Sequence, residues 1–225
     1  MIKLSGALFV GAVLAGAAPA SATVLTFDFG TIGADGGAVC GSNCVIAGAA
    51  AHDFSIGGST VAVTGFSDST RTTTTFVTQK PGAFGGETGL GESDTFPAST
   101  DPDFEIGPSK VVLADNTGVH GTPLSVSIGS LQGPDTVDVF TGATLGSLSL
   151  LQQVSGTTNP LTISLPSNAF FVELVGVPEV GVPEASNNTL LVEETFTAST
   201  VPEPFSIALL GTGLLGLGLA RRRRS

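Results

Sequence analysis

The fold class of this chain is decided by two segments of alternating residues, Leu124–Ser125–Val126–Ser127–Ile128 and Leu161–Thr162–Ile163–Ser164–Leu165. Successive side chains of a β-strand point to opposite faces, so this alternation places apolar residues on one face and hydroxyls on the other. The same pattern recurs in Thr60–Val61–Ala62–Val63–Thr64 and in Thr136–Val137–Asp138–Val139–Phe140. These segments predict antiparallel strands that bury one face and expose the other.

Further strands are predicted where β-branched and aromatic residues are concentrated. These segments are Val24–Phe29, Lys110–Ala114, Ala169–Val175 and Leu190–Phe196. Clusters of Gly, Pro, Asn, Asp and Ser separate the strands, and no apolar stripe of helical period interrupts them. We therefore predict an all-β body, an antiparallel β-sandwich of the jelly-roll type. A β-solenoid is the alternative, but we find no fixed repeat period.

Two stretches of the body are predicted to be long surface loops, Gly82–Asp103 and Val177–Asn188. Acidic side chains are concentrated in 94–105, at Asp94, Asp101, Asp103 and Glu105. Such oxygen-rich loops can bind Ca²⁺, but this one lacks the glycine and the distal glutamate of an EF-hand. A solvated acidic loop is the favoured interpretation, and calcium binding stays open.

Composition and charge limit the class of function. Of the 225 residues only 12% are charged, and 19 acidic against 8 basic residues give a net charge of −11. The segment 23–200 holds three basic and 18 acidic residues, a net charge of −15. Because nucleic-acid binding needs a basic footprint, an acidic body excludes that class of partner.

The amino-terminal segment 1–22 has the three parts of a secretory signal peptide. Lys3 supplies the positive start, and Leu4–Ala15 forms an apolar run. Ala20 and Ala22 then supply small residues at the two positions that a signal peptidase must accommodate. The apolar run is too short for a membrane span, which needs about 20 residues. We predict cleavage after Ala22 and export of the body.

The carboxyl-terminal segment has the composition of a membrane span. Phe205–Ala220 contains no charge and is rich in Leu and Gly, and its 16 residues are followed by Arg221, Arg222, Arg223 and Arg224. As a helix it would rise about 24 Å, and arginine side chains can reach the headgroups to make up the missing length. The arginines are expected to stay in the cytoplasm, so the body would face the periplasm.

The four residues before this span are Val201, Pro202, Glu203 and Pro204. Each proline fixes φ and disfavours helix in the residue before it, so this backbone is expected to be extended and accessible to a protease. The Pro–Glu–Pro motif, the apolar span and the arginine cluster together resemble the PEP-CTERM sorting signal. The resemblance covers about the last 25 residues and concerns the tail only.

That resemblance implies a partner and a destination. It implies processing by an exosortase, an integral-membrane cysteine enzyme that removes the tail, in a Gram-negative bacterium that makes exopolysaccharide. The predicted organisation is then a signal peptide at 1–22, a β-sandwich body at 23–200 and a sorting signal at 201–225. Signal peptidase, exosortase and, transiently, the inner membrane are the expected partners, and exopolysaccharide is a further one.

Cys40 and Cys44 form the chain's pair of thiols. Export brings them into an oxidising compartment, where a local disulfide is the default. A zinc site with His52 and Asp53 is the alternative, but the spacing matches no standard site. We predict a disulfide, no metal site and no cofactor.

Three functions are compatible with this sequence. We expect a structural protein of the cell surface or extracellular matrix, associated with exopolysaccharide or biofilm. A carbohydrate-binding module is the alternative, although the absence of Trp and Tyr would leave ring stacking to Phe. A secreted hydrolase is less favoured, because no nucleophile motif is present and no carboxylate pair is distinguished by its position. We therefore predict that the protein is not an enzyme.

Overall fold

The computed structural model describes residues 23–40, 44–81, 87–94, 105–131, 135–178 and 189–198. All of them belong to one compact unit, Thr23–Ser199. The predicted signal peptide and the predicted sorting tail lie outside the described residues.

The described residues form an all-β structure, as predicted, in which the only helical element is one 3-10 turn at Leu145–Ser147. The strands are β1 (Thr23–Asp28), β2 (Cys44–Val45), β3 (His52–Ile56), β4 (Ser59–Phe66), β5 (Thr74–Lys80), β6 (Gly89–Ser93), β7 (Val111–Asp115), β8 (Gly121–Gly129), β9 (Thr136–Gly142), β10 (Ser149–Ser155), β11 (Leu161–Ser164), β12 (Phe171–Gly176) and β13 (Leu190–Ala198).

The strands follow one path of neighbours, β10-β9-β12-β7-β4-β5-β6-β13-β8-β11, with β1 beside β13, β2 beside β5 and β3 beside β4. Every strand pair is antiparallel. The sheet curls at β5, which pairs with β4 through Thr74 and Thr75 and with β6 through Phe76–Lys80. The strands from β10 to β4 are called the first half below, and those from β6 to β11 the second half.

The two halves contribute to one apolar core. Burial alternates along β9, where Val137 and Val139 are buried and their neighbours are partly exposed. The core cluster joins them to β12, through Val172 and Leu174, and to residues of the second half such as Ile128. The alternation that predicted β9 is therefore confirmed by the face that the strand buries. In β8 the prediction was wrong for Leu124, which is 38% exposed at the point where the register with β13 shifts between Pro123 and Ser125.

The first and last strands of the body are neighbours. β1 pairs with β13 from Thr23 opposite Ala198 to Asp28 opposite Glu193. The buried rings of Phe27 and Phe196 meet edge to face, with their centroids 5.7 Å apart. Because β8 pairs with the other edge of β13, the last strand has partners on both sides.

The loop prediction for Gly82–Asp103 was wrong in its middle, where β6 runs through the structure with all of its residues buried. The glycines that suggested a loop allow close packing instead. At Gly89, φ is +139°, and an added Cβ would lie 2.6 Å from the carbonyl oxygen of Leu191. Only a residue without a side chain fits such a position. Of the second predicted loop, Val177–Asn188, the structure describes Val177 and Pro178.

Candidate functional site

A cavity of about 400 Å³ opens on the outer face of the first half. It is formed where β9 and β12 turn side chains away from the core. Glu173 lies opposite Phe140 in the register of these strands, and Val175 lies opposite Asp138. The lining residues are Ser69, Arg71, Ser109, Asp138, Phe140, Leu148, Glu173, Val175, Gly176, Val177 and Pro178. A volume of this size lies in the lower part of the range of ~300–1,000 Å³ for small-molecule sites.

An ion pair forms one wall of the cavity. Arg71 Nη1 donates to Glu173 Oε2 at 2.9 Å, and the side chains are 28% and 6% exposed. Burial raises the pKa of Glu173, and the charge of Arg71 opposes that rise only in part. A nearly buried carboxylate on an outer sheet face is costly unless it is paired, so Arg71 is needed to hold Glu173 in this position.

The position of Arg71 is set by a compact turn between β4 and β5. The carboxylate of Asp68 accepts hydrogen bonds from the backbone N–H groups of Thr70, Thr72 and Thr73, at 3.0, 3.2 and 3.0 Å. The hydroxyl of Thr70 also donates to Asp68, and these bonds hold the pKa of that carboxyl well below its usual range. Within the turn Arg71 has a φ of +58°, a left-handed conformation that is uncommon outside glycine.

Apolar side chains form another part of the lining, called the apolar wall below. Phe140 is half-buried and faces the cavity together with Leu148 and Val175. The last two also pack on a small apolar cluster on the same outer face, whose buried members are Phe66, Val111 and Leu113. This cluster is separate from the main core. It gives the apolar wall a packed support.

Asp138 is a second carboxylate in the cavity. It lies on β9, two residues before Phe140 and therefore on the same face, and it accepts a hydrogen bond from Gln153 Nε2 of β10 at 2.8 Å. The cavity thus has one cation, Arg71, against two carboxylates. Chemically it offers an apolar surface beside acidic acceptors and a guanidinium donor.

The residues predicted for sorting and processing cannot be placed in this geometry. They lie outside the described residues: Val201, Pro202, Glu203, Pro204, Arg221, Arg222, Arg223, Arg224, Ala20 and Ala22.

The predicted pairing of Cys40 with Cys44 is confirmed as a disulfide. For the zinc alternative, both ring nitrogens of His52 are engaged, with Nδ1 2.7 Å from Asp35 Oδ2 and Nε2 2.9 Å from the carbonyl oxygen of Gly48. Within the part of the chain that the structure describes, no group of three or more His, Cys, Asp or Glu side chains is placed to hold a metal ion.

The acidic segment 94–105 has its described ends bound to lysines, while Asp101 and Asp103 lie outside the described residues. Asp94 contacts the amine of Lys110. Glu105 contacts the amine of Lys80, and the hydroxyl of Ser130 donates to Glu105 Oε1 at 2.8 Å. Burial raises the pKa of Glu105 to about 7, against the opposing effect of Lys80. These two carboxylates therefore act as partners of buried or half-buried cations.

Another carboxyl group, that of Glu194 on β13, is completely buried. Asn116 Nδ2 donates to Glu194 Oε1 at 3.4 Å, and burial raises the pKa of Glu194 to about 8. Among the described residues, Glu194 Oε2 and Asn116 Oδ1 have no hydrogen-bond partner. Both observations fit a protonated Glu194, because a carboxylic acid can donate where a carboxylate cannot.

Sequence reasoning did not single out Arg71, Asp138 or Glu173 as site residues. A signal was present for Asp138 and Phe140, since alternation in Thr136–Phe140 places both on the face opposite to Val137 and Val139. No such signal exists for the ion pair, because Arg71 and Glu173 are 102 positions apart.

Comparison with known proteins identifies the carboxyl-terminal tail. The family model of the PEP-CTERM protein-sorting motif matches residues 200–224. The chain therefore carries the sorting motif that its residues resemble, and the motif marks it as an exported protein that an exosortase sorts and processes. No curated protein and no solved structure matches the chain significantly. In the described ranges, which end at residue 198, no helix has the length and apolar character needed to cross a membrane.

Proposed function

We propose that this exported protein is a structural component of the cell surface or extracellular matrix of a Gram-negative bacterium, associated with exopolysaccharide or biofilm. The sorting motif at 200–224 is the observation that carries the proposal, because it marks the body for export. The motif follows directly on the body, whose last strand, β13, ends at Ala198. The body delivered by the motif has a disulfide and a strong negative charge, and both suit a passive extracellular domain.

The route that we propose has three steps. Signal peptidase cleaves after Ala22, and Phe205–Ala220 then holds the chain in the inner membrane with Arg221–Arg224 in the cytoplasm. The exosortase next cuts near Val201–Pro204 and releases the body from its anchor. The hydropathy of the segments and the position of the arginines support this order.

For the body we propose a closed β-sandwich of the jelly-roll type. Its two halves share one apolar core, and the path of strands crosses from one half to the other at β5. A sheet that folds back on its own buried face in this way removes most of its apolar surface from water.

We also propose that the body is not an enzyme. The two carboxylates of the cavity are bonded to neighbours, Glu173 to Arg71 and Asp138 to Gln153. Such bonds favour a binding or structural role over the water activation and proton transfer that a glycoside hydrolase requires.

A carbohydrate-binding module is the second candidate function. It is favoured by one observation, the cavity in which the half-buried ring of Phe140 lies beside charged and polar side chains. Sugar rings present an apolar C–H face and polar hydroxyl edges, so they match this combination of groups.

The sorting part of the proposal is tested by mass spectrometry of the mature protein from cells with and without the exosortase. In normal cells we expect the peptide Arg221–Ser225 to be absent and the protein to accumulate in the matrix fraction. In cells without exosortase we expect the intact tail. Recovery of the intact tail from normal cells contradicts the proposal.

A matched pair of variants sharpens this test. Pro202→Ala with Pro204→Ala should leave the tail attached in normal cells. Pro183→Ala alters an upstream Val–Pro–Glu triplet, Val182–Pro183–Glu184, and should leave processing unchanged. Equal processing of both variants would contradict recognition of the Pro–Glu–Pro motif.

A further inference from the structure

We propose that the cavity on the outer face of the first half is a binding site for a neutral saccharide, with Phe140 as the stacking platform and Arg71, Glu173 and Asp138 as hydroxyl-binding groups. The inference rests on the second candidate function above, since it gives that function a location and a ligand class. It is independent of the sorting motif, and it can fail while the sorting proposal holds.

The apolar wall fits one face of a sugar ring. Phe140 is half-buried, so part of its ring is open to the cavity while the rest is packed. Leu148 and Val175 extend the apolar surface and are supported by the small cluster around Phe66. The C–H groups of a pyranose ring pack well on such a surface.

The polar wall fits the hydroxyl edge of the same ring. A hydroxyl both donates and accepts, so it is matched by a carboxylate acceptor close to a guanidinium donor. Arg71 and Glu173 supply this combination with their polar atoms 2.9 Å apart, and Asp138 supplies a second acceptor. The side chains of Ser69 and Ser109 add hydroxyls to the lining.

The charge of the cavity selects against anionic ligands. The lining contains two carboxylates, Asp138 and Glu173, and one guanidinium that already bonds to Glu173. A uronate or a phosphate would add a further negative charge beside them, in a body whose net charge is −15. A neutral sugar has the required hydroxyls without this repulsion.

Two lining residues of the cavity have an uncommon backbone conformation, which Asp35 and Ser130 share elsewhere in the body. Arg71 and Ser109 both have left-handed conformations, with φ of +58° and +64°, although neither is glycine. Residues in such sparsely populated conformations are concentrated at binding and catalytic sites. At Arg71 the conformation is maintained by the hydrogen bonds to Asp68, which present the guanidinium to Glu173.

The test is calorimetric titration of the exported protein, in a detergent without a sugar headgroup. The probes are cello-, manno-, galacto- and malto-oligosaccharides, with tetragalacturonate as the anionic comparison. We expect binding of at least one neutral probe and no preference for tetragalacturonate. Phe140→Ala and Asp138→Asn should each weaken binding of that probe about tenfold, the size of effect that a lost stacking or charge-assisted contact produces.

Two control variants distinguish a local effect from a general one. Leu124→Ala removes a partly exposed apolar side chain on β8, in the second half, that does not line the cavity. Asp53→Asn neutralises an exposed carboxylate on β3, which is not part of the lining. Both should bind the probe as the wild type does. If Phe140→Ala fails to fold, Asp138→Asn decides, since it preserves the shape of a partly exposed side chain.

Three results would overturn the proposal. They are a wild-type protein that binds none of the neutral probes, a stronger affinity for tetragalacturonate, and unchanged affinity in Asp138→Asn. Normal exosortase processing alongside any of these results would show that the sorting proposal holds and that the saccharide-site proposal does not.

Discussion

At the scale of single residues, the buried glutamates give the body its dependence on pH. Burial raises the pKa of Glu105 to about 7 and that of Glu194 to about 8, above the ordinary value of 4.5. Between the ordinary value and these higher ones, the folded protein binds protons that the unfolded chain releases. Stability therefore falls as the pH rises through this interval.

Glu194→Gln tests the contribution of the most buried of these groups. Above pH 4.5 the unfolded chain releases the proton of Glu194 while the folded state retains it, and the resulting loss of stability is complete above about pH 8. The amide of the variant does not ionise and can donate to Asn116 Oδ1. We expect the variant to melt several degrees higher than the wild type at pH 8 and at a similar temperature near pH 4.

Thermal unfolding followed by circular dichroism across this pH range measures the effect. Asp53→Asn is the control, because it removes an exposed carboxylate and should leave the pH profile of the wild type in place. A difference between Glu194→Gln and the wild type that is the same at all pH values would refute the protonated state of Glu194.

At the scale of elements, β1 packs on the core through one of its two faces. Phe27 is fully buried against Phe196 of β13, whereas Val24 on the same strand is 61% exposed. Truncation of a buried phenylalanine leaves a cavity and removes its apolar contacts with the core. The stability of this strand pair should therefore depend on Phe27.

Phe27→Ala should lower the free energy of unfolding by about 3–5 kcal/mol. Val24→Ala, the matched control on the same strand, should change it by less than ~0.5 kcal/mol, as expected for a surface position. Chemical denaturation of the two variants beside the wild type supplies both values. Equal losses in the two variants would mean that β1 is not packed as described.

At the scale of the whole molecule, the disulfide acts through the unfolded chain. Linking Cys40 to Cys44 closes a short loop, which lowers the conformational entropy of the unfolded state. For so small a loop the chain-entropy relation gives about 2 kcal/mol. Cys40→Ser with Cys44→Ser should therefore lower the melting temperature by roughly 4–8 °C.

Alkylation provides the independent check on this bond. The unreduced wild-type protein should take up no label, and the reduced protein should melt at the temperature of the double variant. Labelling without reduction, or a double variant that melts with the oxidised wild type, would contradict a stabilising disulfide.

How far the fold could be predicted depended on how each strand is buried. β4, β9 and β11 bury alternate residues, wholly or for much of their length, so the sequence shows their period. β6 buries both faces and contains two glycines, so its sequence resembles a loop. β10 leaves all but one residue exposed at the edge of the sheet, and a strand without a buried face has no apolar period to detect.

The tail and the cavity also differ in how far they could be predicted from the sequence. The sorting motif is a continuous segment, so its residues could be found by inspection and the match at 200–224 confirms them. The cavity joins Arg71 of one turn to Glu173 of a distant strand. Their meeting depends on strand order, which local patterns do not contain. The segment 94–105, for which the sequence favoured a solvated acidic loop, instead contributes Asp94 and Glu105 to ion pairs with lysines.

The pairing of the first strand with the last also determines when the body can finish folding during export. A chain that crosses the membrane amino end first delivers β1 at the beginning of translocation and β13 at the end. The edge that β1 needs is absent until almost the whole body has emerged, and the sorting motif at 200–224 follows that edge directly in the chain. Closure of the fold and arrival of the exosortase signal thus coincide. An intermediate stalled before β13 should be open to proteases on the far side of the membrane, whereas the finished protein should resist them.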